Sequence, residues 1–323
     1  MKQTILGAIC LSLAASIWGG MYVVSKYVLD FIPPLTLVWL RFIIAFVVLY
    51  MILKIAEKKQ KKTVTIHKKD WLLFAWIGFI GYFISITCQF IGTKLSDAHT
   101  GSLVTSATPA FMVIFAAIIL KEKLTARRLL STIIATIGVI IVIGWDIEIG
   151  SYFIGTIILV GAAITWALLS IYVKIASARF SSLVITTYAI FFSLFFITPF
   201  MVWEFQSNPI EHMNLYVVLG VLYLGIVSTA GAFFLWNKGL ELMDASIGSL
   251  FFFFQPIVGS LLGWLLLNET LNSNFLLVVF LLYVVFLLLL LKRNEKQAEI
   301  FNLCLFHNTE KTTSSIRFLN KLH

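Results

Sequence analysis

The chain has 323 residues, of which 60% are hydrophobic and only 12% are charged, and its formal net charge is +9. Because a soluble domain carries roughly 25% charged residues, this composition excludes an ordinary water-soluble protein. The basic residues lie between apolar runs and form no basic domain with interleaved aromatic residues, so no nucleic-acid partner is expected. The spacings of Cys10, Cys88 and Cys304 support neither a disulfide framework nor a metal site.

Apolar runs of about 20 residues, each long enough to cross ~30 Å of hydrocarbon, recur along the whole chain. The first run is longer than the apolar region of a signal peptide, so it is predicted to be a retained helix. Together the runs predict an all-α integral membrane protein with ten transmembrane helices. The predicted spans one to ten are Ile5–Leu29, Leu35–Ile55, Trp71–Ile91, Thr100–Leu120, Leu129–Trp145, Ile154–Ala176, Ser181–Val202, Tyr216–Asn237, Ser246–Asn268 and Phe275–Leu291.

Lysine and arginine residues in the short loops indicate the orientation, because cationic loops are retained in the cytoplasm. Basic residues concentrate between spans two and three, four and five, and six and seven, and again after span ten. The opposite loops contain only Lys26 and Lys94 as cations. We therefore predict a multi-pass protein of the cell (inner) membrane with both termini and a polar tail, residues 292–323, in the cytoplasm.

The two halves of the chain share identical residues at a nearly constant spacing, which indicates an internal duplication. The spacing is 148 in spans one and six (174 − 26 = 148) and 147 from the end of span three onward (269 − 122 = 147). The first set of pairs is Gly7/Gly155, Ala14/Ala162, Ala15/Ala163, Trp18/Trp166 and Lys26/Lys174. The second set is Gly92/Gly239, Leu95/Leu242, Asp97/Asp244, Ala98/Ala245, Gly101/Gly248, Ser102/Ser249, Leu103/Leu250, Pro109/Pro256, Glu122/Glu269 and Leu124/Leu271.

Each half, residues 1–145 and 154–291, contains five predicted helices. Because five is an odd number, equivalent helices must enter the membrane from opposite sides, so the repeats are inverted. Inverted repeats are typical of secondary transporters, which bind their substrate near the bilayer midplane at the repeat interface.

Several short motifs of the chain are similar to those of one known family. They are Trp18-Gly19-Gly20 through Lys26, Arg41-Phe42, Ala98 to Pro109 leading to Glu122-Lys123-Leu124, and the copy Ala245 to Pro256 leading to Glu269-Thr270-Leu271. In order and duplication they resemble the EamA family of the drug/metabolite transporter superfamily, over about Leu6 to Leu291. The resemblance implies ten helices, cytoplasmic termini and a central cavity lined mainly by helices one, three, four, six, eight and nine. It also implies that the substrates are amino acids or other small metabolites, commonly exported.

Neutral polar and aromatic side chains lie at mid-span depth in these same helices. Trp18 and Trp166 are outside the interfacial belts where Trp is usually enriched, and one turn further on are Tyr22 and Ser170. At comparable depth lie Gln89, Thr105, Thr108, Trp236, Phe252 and Gln255. Such a set is typical of a cavity for small organic molecules, although each residue has helix packing as its alternative role.

Arg41 is the one cation well inside a predicted span, roughly 10 Å beyond Pro34 at 1.5 Å per residue. It has two interpretations: a contact to a substrate carboxylate or an outer gate, or a structural role in which it snorkels outward or bonds a helix end. Lys26 and Lys174 lie near helix ends and are predicted to reach the lipid headgroups. Structural capping or gate contacts are predicted for Glu122 and Glu269.

Pro109 and Pro256 fall near the middle of spans four and nine, where a proline bends the helix. They are interpreted either as bends that shape the cavity or as passive kinks.

Features that the sequence lacks argue against two mechanisms, a simple proton relay and ATP-driven transport. Every Asp and Glu, and all five His, fall in a loop, the tail or a helix end, so no midplane carboxylate is available for a simple proton relay. No Gly-rich nucleotide loop occurs, and no cofactor or catalytic residue is expected.

We therefore predict a secondary transporter of neutral or zwitterionic metabolites, amino acids foremost, whose partners are the substrate and the lipid bilayer. A homodimer is left open. The alternatives are an integral-membrane enzyme, which would show clustered catalytic groups at one face, and a sensor or channel, which leaves the inverted duplication unexplained.

Overall fold

The computed structural model describes residues 2–60, 65–122, 130, 133, 150–210 and 213–267. All regular elements in this part of the chain are helical. They are α1 (Lys2–Leu29), α2 (Pro34–Gln60), α3 (Lys68–Leu95), α4 (Ala98–Thr105), α5 (Thr108–Ile119), α6 (Ser151–Ala176), α7 (Ser182–Ser207), α8 (Leu215–Leu242), α9 (Ala245–Gly248), a 3-10 segment (Ser249–Phe253) and α10 (Phe254–Leu267). Predicted span ten, nearly all of span five, and the tail lie outside the described residues.

Six helices of the described part, namely α1, α2, α3, α6, α7 and α8, are long and apolar enough to cross a membrane. Their outer faces expose large apolar side chains such as Ile9, Phe195 and Trp203. In water such surfaces would be costly, whereas lipid tails cover them. The chain is therefore a multi-pass, all-helical membrane protein.

Predicted span four is not a continuous helix. It is divided into α4 and α5 by a turn at residues 106–107, directly before Pro109. Pro109 thus lies in the first turn of α5, where its missing N–H removes no helical hydrogen bond. The carbonyl of Thr105 accepts a bond from Thr108 Oγ1 at 2.6 Å instead.

Predicted span nine changes its helical type at the equivalent point. The chain passes from α9 through the 3-10 segment into α10, and Pro256 lies in the first turn of α10. The structure therefore places both prolines in the first turn of a new helical segment, and not in mid-helix where the sequence placed them.

Wide π-helical turns interrupt α3 at Gly78–Ser85 and α8 at Tyr223–Gly231. The two segments occupy matching places in the two halves, since Gly78 and Gly225 are separated by the repeat spacing (225 − 78 = 147). Such turns are rare in proteins overall, but those that do occur are often found at functional sites. Each shifts the register of the side chains that follow it.

Glycines bring the helices into close contact at two matching crossings. A Cβ atom on Gly92 of α3 would lie 2.8 Å from the carbonyl oxygen of Gly155 in α6. A Cβ on Gly239 of α8 would lie 3.1 Å from the carbonyl oxygen of Gly7 in α1. Small residues of this kind let helix backbones approach within membranes, so α1 packs on α8, and α6 on α3, at equivalent positions.

Candidate functional site

A pocket lies at the centre of the bundle, where α1, α3, α6 and α8 meet the two interrupted spans. Seven of the eleven predicted cavity residues line it: Trp18, Gln89, Thr105, Thr108, Trp166, Phe252 and Gln255. The other lining residues were missed in the sequence: Met21, Ser85, Ile86, Ala162, Ala163 and Phe233. Most of these precede or follow a predicted residue by three or four positions, so helical spacing could have identified them.

Aromatic rings fill the middle of the site. We call Trp18, Trp166, Phe233, Trp236 and Phe252 the ring cluster. The rings of Trp18 and Trp166 meet edge to face with their centroids 5.2 Å apart, and Phe252 stacks on Trp18 at 5.9 Å. These distances are ordinary for aromatic pairs in contact. The two tryptophans therefore touch each other in this conformation and must separate before a ligand can lie between them.

A hydrogen-bonded chain of neutral polar groups forms another wall. Tyr22 OH and Thr105 Oγ1 are 2.7 Å apart, and Gln89 Nε2 donates to Tyr22 OH in a very short bond. Thr105 Oγ1 also lies 3.4 Å from Gln255 Oε1 and so links α4 to α10. Tyr22 is behind the pocket wall, and its role is to hold Gln89 and Thr105 in place.

Two polar atoms of the pocket remain available. Gln89 Oε1 and Trp166 Nε1 are buried and have no hydrogen-bond partner among the described residues. The matching indole of Trp18 is satisfied, because its Nε1 donates to the carbonyl of Ser228 at 3.1 Å. Since buried polar groups are normally paired, the acceptor on Gln89 and the donor on Trp166 are suited to a ligand.

Trp236 and Ser170 lie beneath the pocket wall instead of on it. Trp236 Nε1 donates to Ser170 Oγ at 3.2 Å, and Ser170 Oγ donates to the carbonyl of Trp166 at 3.0 Å. Both residues are fully buried. They support the rings of Trp166 and Trp18 and have no direct access to the pocket.

Arg41 is fully buried, so the snorkelling interpretation is wrong. Its Nε donates to Thr229 Oγ1 at 2.7 Å and its Nη2 to Ser228 Oγ at 3.4 Å, both in the π-helical turn of α8. The guanidinium also lies 4.8 Å from the ring centroid of Phe90. Arg41 does not line the pocket, but it lies one side chain behind it, because Nη2 contacts Met21 Sδ at 3.7 Å.

Lys26 and Lys174 make equivalent contacts to carbonyls at helix ends, whereas lipid headgroups were predicted as their partners. Lys26 Nζ donates to the carbonyl of Ser96 at 2.8 Å, just beyond the end of α3. Lys174 Nζ donates to the carbonyls of Leu240 and Met243, both at 2.8 Å, at the end of α8. Cations at this position satisfy the free carbonyls of a helix end and interact favourably with its dipole.

Carboxylates tie neighbouring helices together at their ends. Glu122 accepts a very short hydrogen bond from Ser246 Oγ of α9, which agrees with the predicted capping or gate contact; Glu269 lies outside the described residues. Glu204 accepts bonds from the backbone N–H and hydroxyl of Thr36 at 2.7 and 3.0 Å. The role of Glu204 was not foreseen, because it depends on the approach of α7 to the beginning of α2.

Apolar helices of membrane-spanning length around a buried polar and aromatic pocket define a multi-pass membrane protein with a central pocket. The chain belongs to the EamA-like transporter family, whose model matches residues 5–144 and 153–291. The resemblance seen in the motifs is thus confirmed, and the two matches cover both halves.

Individual relatives and one solved structure agree with this assignment. The uncharacterized transporters YetK and YoaV of Bacillus subtilis are 28% and 25% identical over 83% and 86% of this chain, and over 82% and 93% of their own lengths. A protein of Salmonella typhimurium named as a probable amino-acid metabolite efflux pump is 25% identical over 81% of this chain and 87% of its own. A crystal structure that is 19% identical covers 90% of this chain and 98% of its own, with a TM-score of 0.70, and so shares the fold.

Proposed function

We propose that the chain is a secondary transporter that moves small organic metabolites across the cell membrane by alternating access. Amino acids and related neutral or zwitterionic compounds are the favoured substrates. The observation that carries the proposal is the central pocket, which is lined by aromatic rings. In it Gln89 Oε1 and Trp166 Nε1 are buried and have no hydrogen-bond partner among the residues that the structure describes. A membrane protein retains such groups at a cost, and a polar ligand offsets that cost.

The arrangement proposed for the whole chain is ten helices in two inverted repeats, residues 1–145 and 154–291, with both termini cytoplasmic. Matching features of the two halves support it: the π-helical turns, the Gly92/Gly155 and Gly7/Gly239 crossings, and the lysine caps. An inverted repeat has two nearly equivalent packings, one open to each side.

The contacts of spans four and nine fit a conformation that is closed toward the predicted cytoplasmic face. Thr105 and Gln255 join the two spans at mid-depth, whereas Glu122 and Ser246 join them at the predicted cytoplasmic face. Because Trp18 of span one and Trp166 of span six also touch, alternating access requires both pairs of spans to part.

The amino-acid preference has two supports. One relative is named for amino-acid metabolite efflux. The pocket also combines a hydrogen-bond donor and acceptor with apolar rings, which suits a compact polar group joined to an apolar side chain.

The test is counterflow in liposomes that contain the purified protein, with radiolabelled amino acids, nucleosides and sugars. A carrier accelerates uptake of label when the vesicle is preloaded with the same unlabelled compound, whereas a channel does not. We expect counterflow for at least one amino acid or related compound, and its reduction in Trp166→Ala. Trp203→Ala is the matched control, because Trp203 is 67% exposed on the outer face of α7. Uptake without acceleration by preloading would contradict the carrier mechanism.

A further inference from the structure

Within the described part of the chain, the charge of Arg41 has no carboxylate partner. Its polar contacts are to the neutral side chains of Thr229, Ser228 and Met21, and it belongs to none of the ion pairs found among the described residues. The sequence places no Asp or Glu in the middle of any predicted span, including those outside the described residues. An arginine stays protonated, and a buried charge without a counter-charge is strongly unfavourable.

One end of the guanidinium is also without a hydrogen bond. Nε and Nη2 are engaged, whereas the buried Nη1 has no partner among the described residues. The faces of Phe90 and Phe233 lie 4.8 and 5.8 Å from the guanidinium carbon. Rings satisfy part of the positive charge, but they offer no acceptor to the Nη1 hydrogens.

The guanidinium is close to the pocket. Met21 and Phe233 both contact the guanidinium, and both line the pocket. Met21 is unbranched and has three rotatable bonds, so it changes rotamer easily. A small turn of its side chain would open the pocket to Arg41.

We propose that Arg41 is the carboxylate-binding subsite of the transporter and that the substrate is a small monocarboxylate, with or without an α-ammonium group, that has an aromatic or apolar body. This inference rests on the proposed transport function and names its substrate class. The carboxylate accepts hydrogen bonds from the guanidinium after Met21 turns aside from Nη2. The apolar body lies among the rings of Trp18, Trp166 and Phe252.

The alternatives fit the same residues less well. An aromatic pocket attracts ammonium groups through cation–π contacts, but the nearby positive charge of Arg41 opposes a cationic ligand. Phosphate esters carry two charges and are usually held by several cations, whereas Arg41 is the one cation deep within the predicted spans. No Asp or Glu is among the pocket-lining residues of the described chain, so the ammonium of an amino acid is not required for binding.

The experiment measures binding by titration calorimetry of the full chain in lipid nanodiscs at pH 7. Four probes share one ring: 3-phenylpropanoate, 3-phenylpropanamide, L-phenylalanine and 2-phenylethylamine. We expect 3-phenylpropanoate and L-phenylalanine each to bind at least tenfold more tightly than 3-phenylpropanamide, and the amine to be the weakest ligand. In Arg41→Gln the ratio of amide to carboxylate Kd should fall to about one, in Arg41→Lys it should be intermediate, and in Trp203→Ala it should not change.

The comparison of carboxylate with amide in the unaltered protein requires no variant, so it is decisive even if Arg41→Gln does not fold. Equal affinity of 3-phenylpropanoate and its amide, survival of the preference in Arg41→Gln, or no binding of any probe would each overturn the inference. If none of the probes binds while a nucleoside or sugar shows counterflow, the carboxylate subsite is wrong and the carrier function stands. If neither assay responds, both are wrong.

Discussion

The indole rings of Trp18 and Trp166 meet edge to face at the centre of the protein, although the two residues are 148 positions apart (166 − 18 = 148). They are equivalent residues of the two halves, yet their N–H groups differ. That of Trp18 is bonded to Ser228, whereas that of Trp166 has no partner among the described residues. This asymmetry gives the two tryptophans different expected roles.

Replacement of each tryptophan by phenylalanine should separate stability from binding. Trp18→Phe keeps an aromatic ring but removes the donor to the Ser228 carbonyl, which should cost about 1 kcal/mol of stability. Trp166→Phe removes an N–H that stabilises nothing in the described chain, so the melting temperature should change little. Its KM for the compound found by counterflow should rise roughly two- to tenfold, because a hydrogen bond contributes about 0.5–1.5 kcal/mol.

The measurements are thermal unfolding of the purified variants and counterflow kinetics per folded molecule. A normal KM in Trp166→Phe, together with a lowered melting temperature, would assign Trp166 to helix packing and contradict its place in the binding site.

The close crossing of α3 and α6 predicts a marked difference between two glycine-to-alanine variants. In Gly92→Ala the new Cβ would lie 2.6 Å from Leu159 Cγ and 2.8 Å from the Gly155 carbonyl oxygen. Because backbone cannot move aside cheaply, we expect a loss of about 1–3 kcal/mol in stability. Gly161→Ala is the matched control in α6, since a Cβ there meets nothing within 4 Å, and it should be neutral or slightly stabilising. Equal melting temperatures for the two variants would show that the crossing is looser than described.

The lysine cap of α8 should also contribute to stability. Lys174→Met keeps the aliphatic part of the side chain but removes the donor to the Leu240 and Met243 carbonyls, each bonded at 2.8 Å. Hydrogen bonds to a charged donor are worth about 1.5–3 kcal/mol, so the melting temperature should fall clearly. Lys54→Met is the control, because Lys54 is half exposed and makes a surface pair with Glu57 that should contribute nothing measurable. A Lys174→Met protein as stable as the Lys54→Met control would instead support the headgroup interpretation.

Much of the site could be predicted from the sequence, because the depth of a residue in the membrane follows from its distance along the chain from the ends of its apolar span. Trp18, Gln89, Thr105 and Trp166 lie at similar depths, and the structure brings all four to one pocket. The sequence did not reveal which way each side chain points. The π-helical turns precede Gln89 and Trp236 in the chain and rotate the side chains that follow them. A pattern with a period of 3.6 residues does not account for that rotation.

Other contacts depend on helices that are far apart in sequence. Arg41 bonds Thr229, which is 188 residues away, and Lys26 reaches the end of α3, about 70 residues away. No local pattern encodes such partners. The break before Pro109 could have been anticipated, because proline is favoured in the first turn of a helix and disfavoured in its interior.

The predicted orientation gives a test of the parts outside the described residues. Reporter fusions after Arg293 and in the loop from Lys58 to Lys69 should be cytoplasmic, and one near Asp146 should be external, because basic residues concentrate in the first two regions. Both reporter types, one active only inside the cell and one active only outside, should be used at each site as mutual controls. An external signal after Arg293 would exclude the ten-helix arrangement.

The contact between Glu122 and Ser246 tests alternating access directly. It joins spans four and nine at the predicted cytoplasmic face, so these ends must separate whenever the pocket opens inward. In a background in which Cys10, Cys88 and Cys304 are replaced by serine, we introduce Glu122→Cys and Ser246→Cys and oxidise the pair. The resulting disulfide should abolish counterflow, and a reductant should restore it, because the linked protein cannot complete the transport cycle.

The two single-cysteine variants, treated with the same oxidant, control for loss of the Glu122 contact itself and should retain whatever activity they have before oxidation. To quantify the disulfide, a protease site is inserted between the two halves and cleaved. Only cross-linked protein then runs on a non-reducing gel as one full-length band. Full counterflow in protein that is completely cross-linked would show that spans four and nine do not part at this face, and alternating access through their movement would then have to be abandoned.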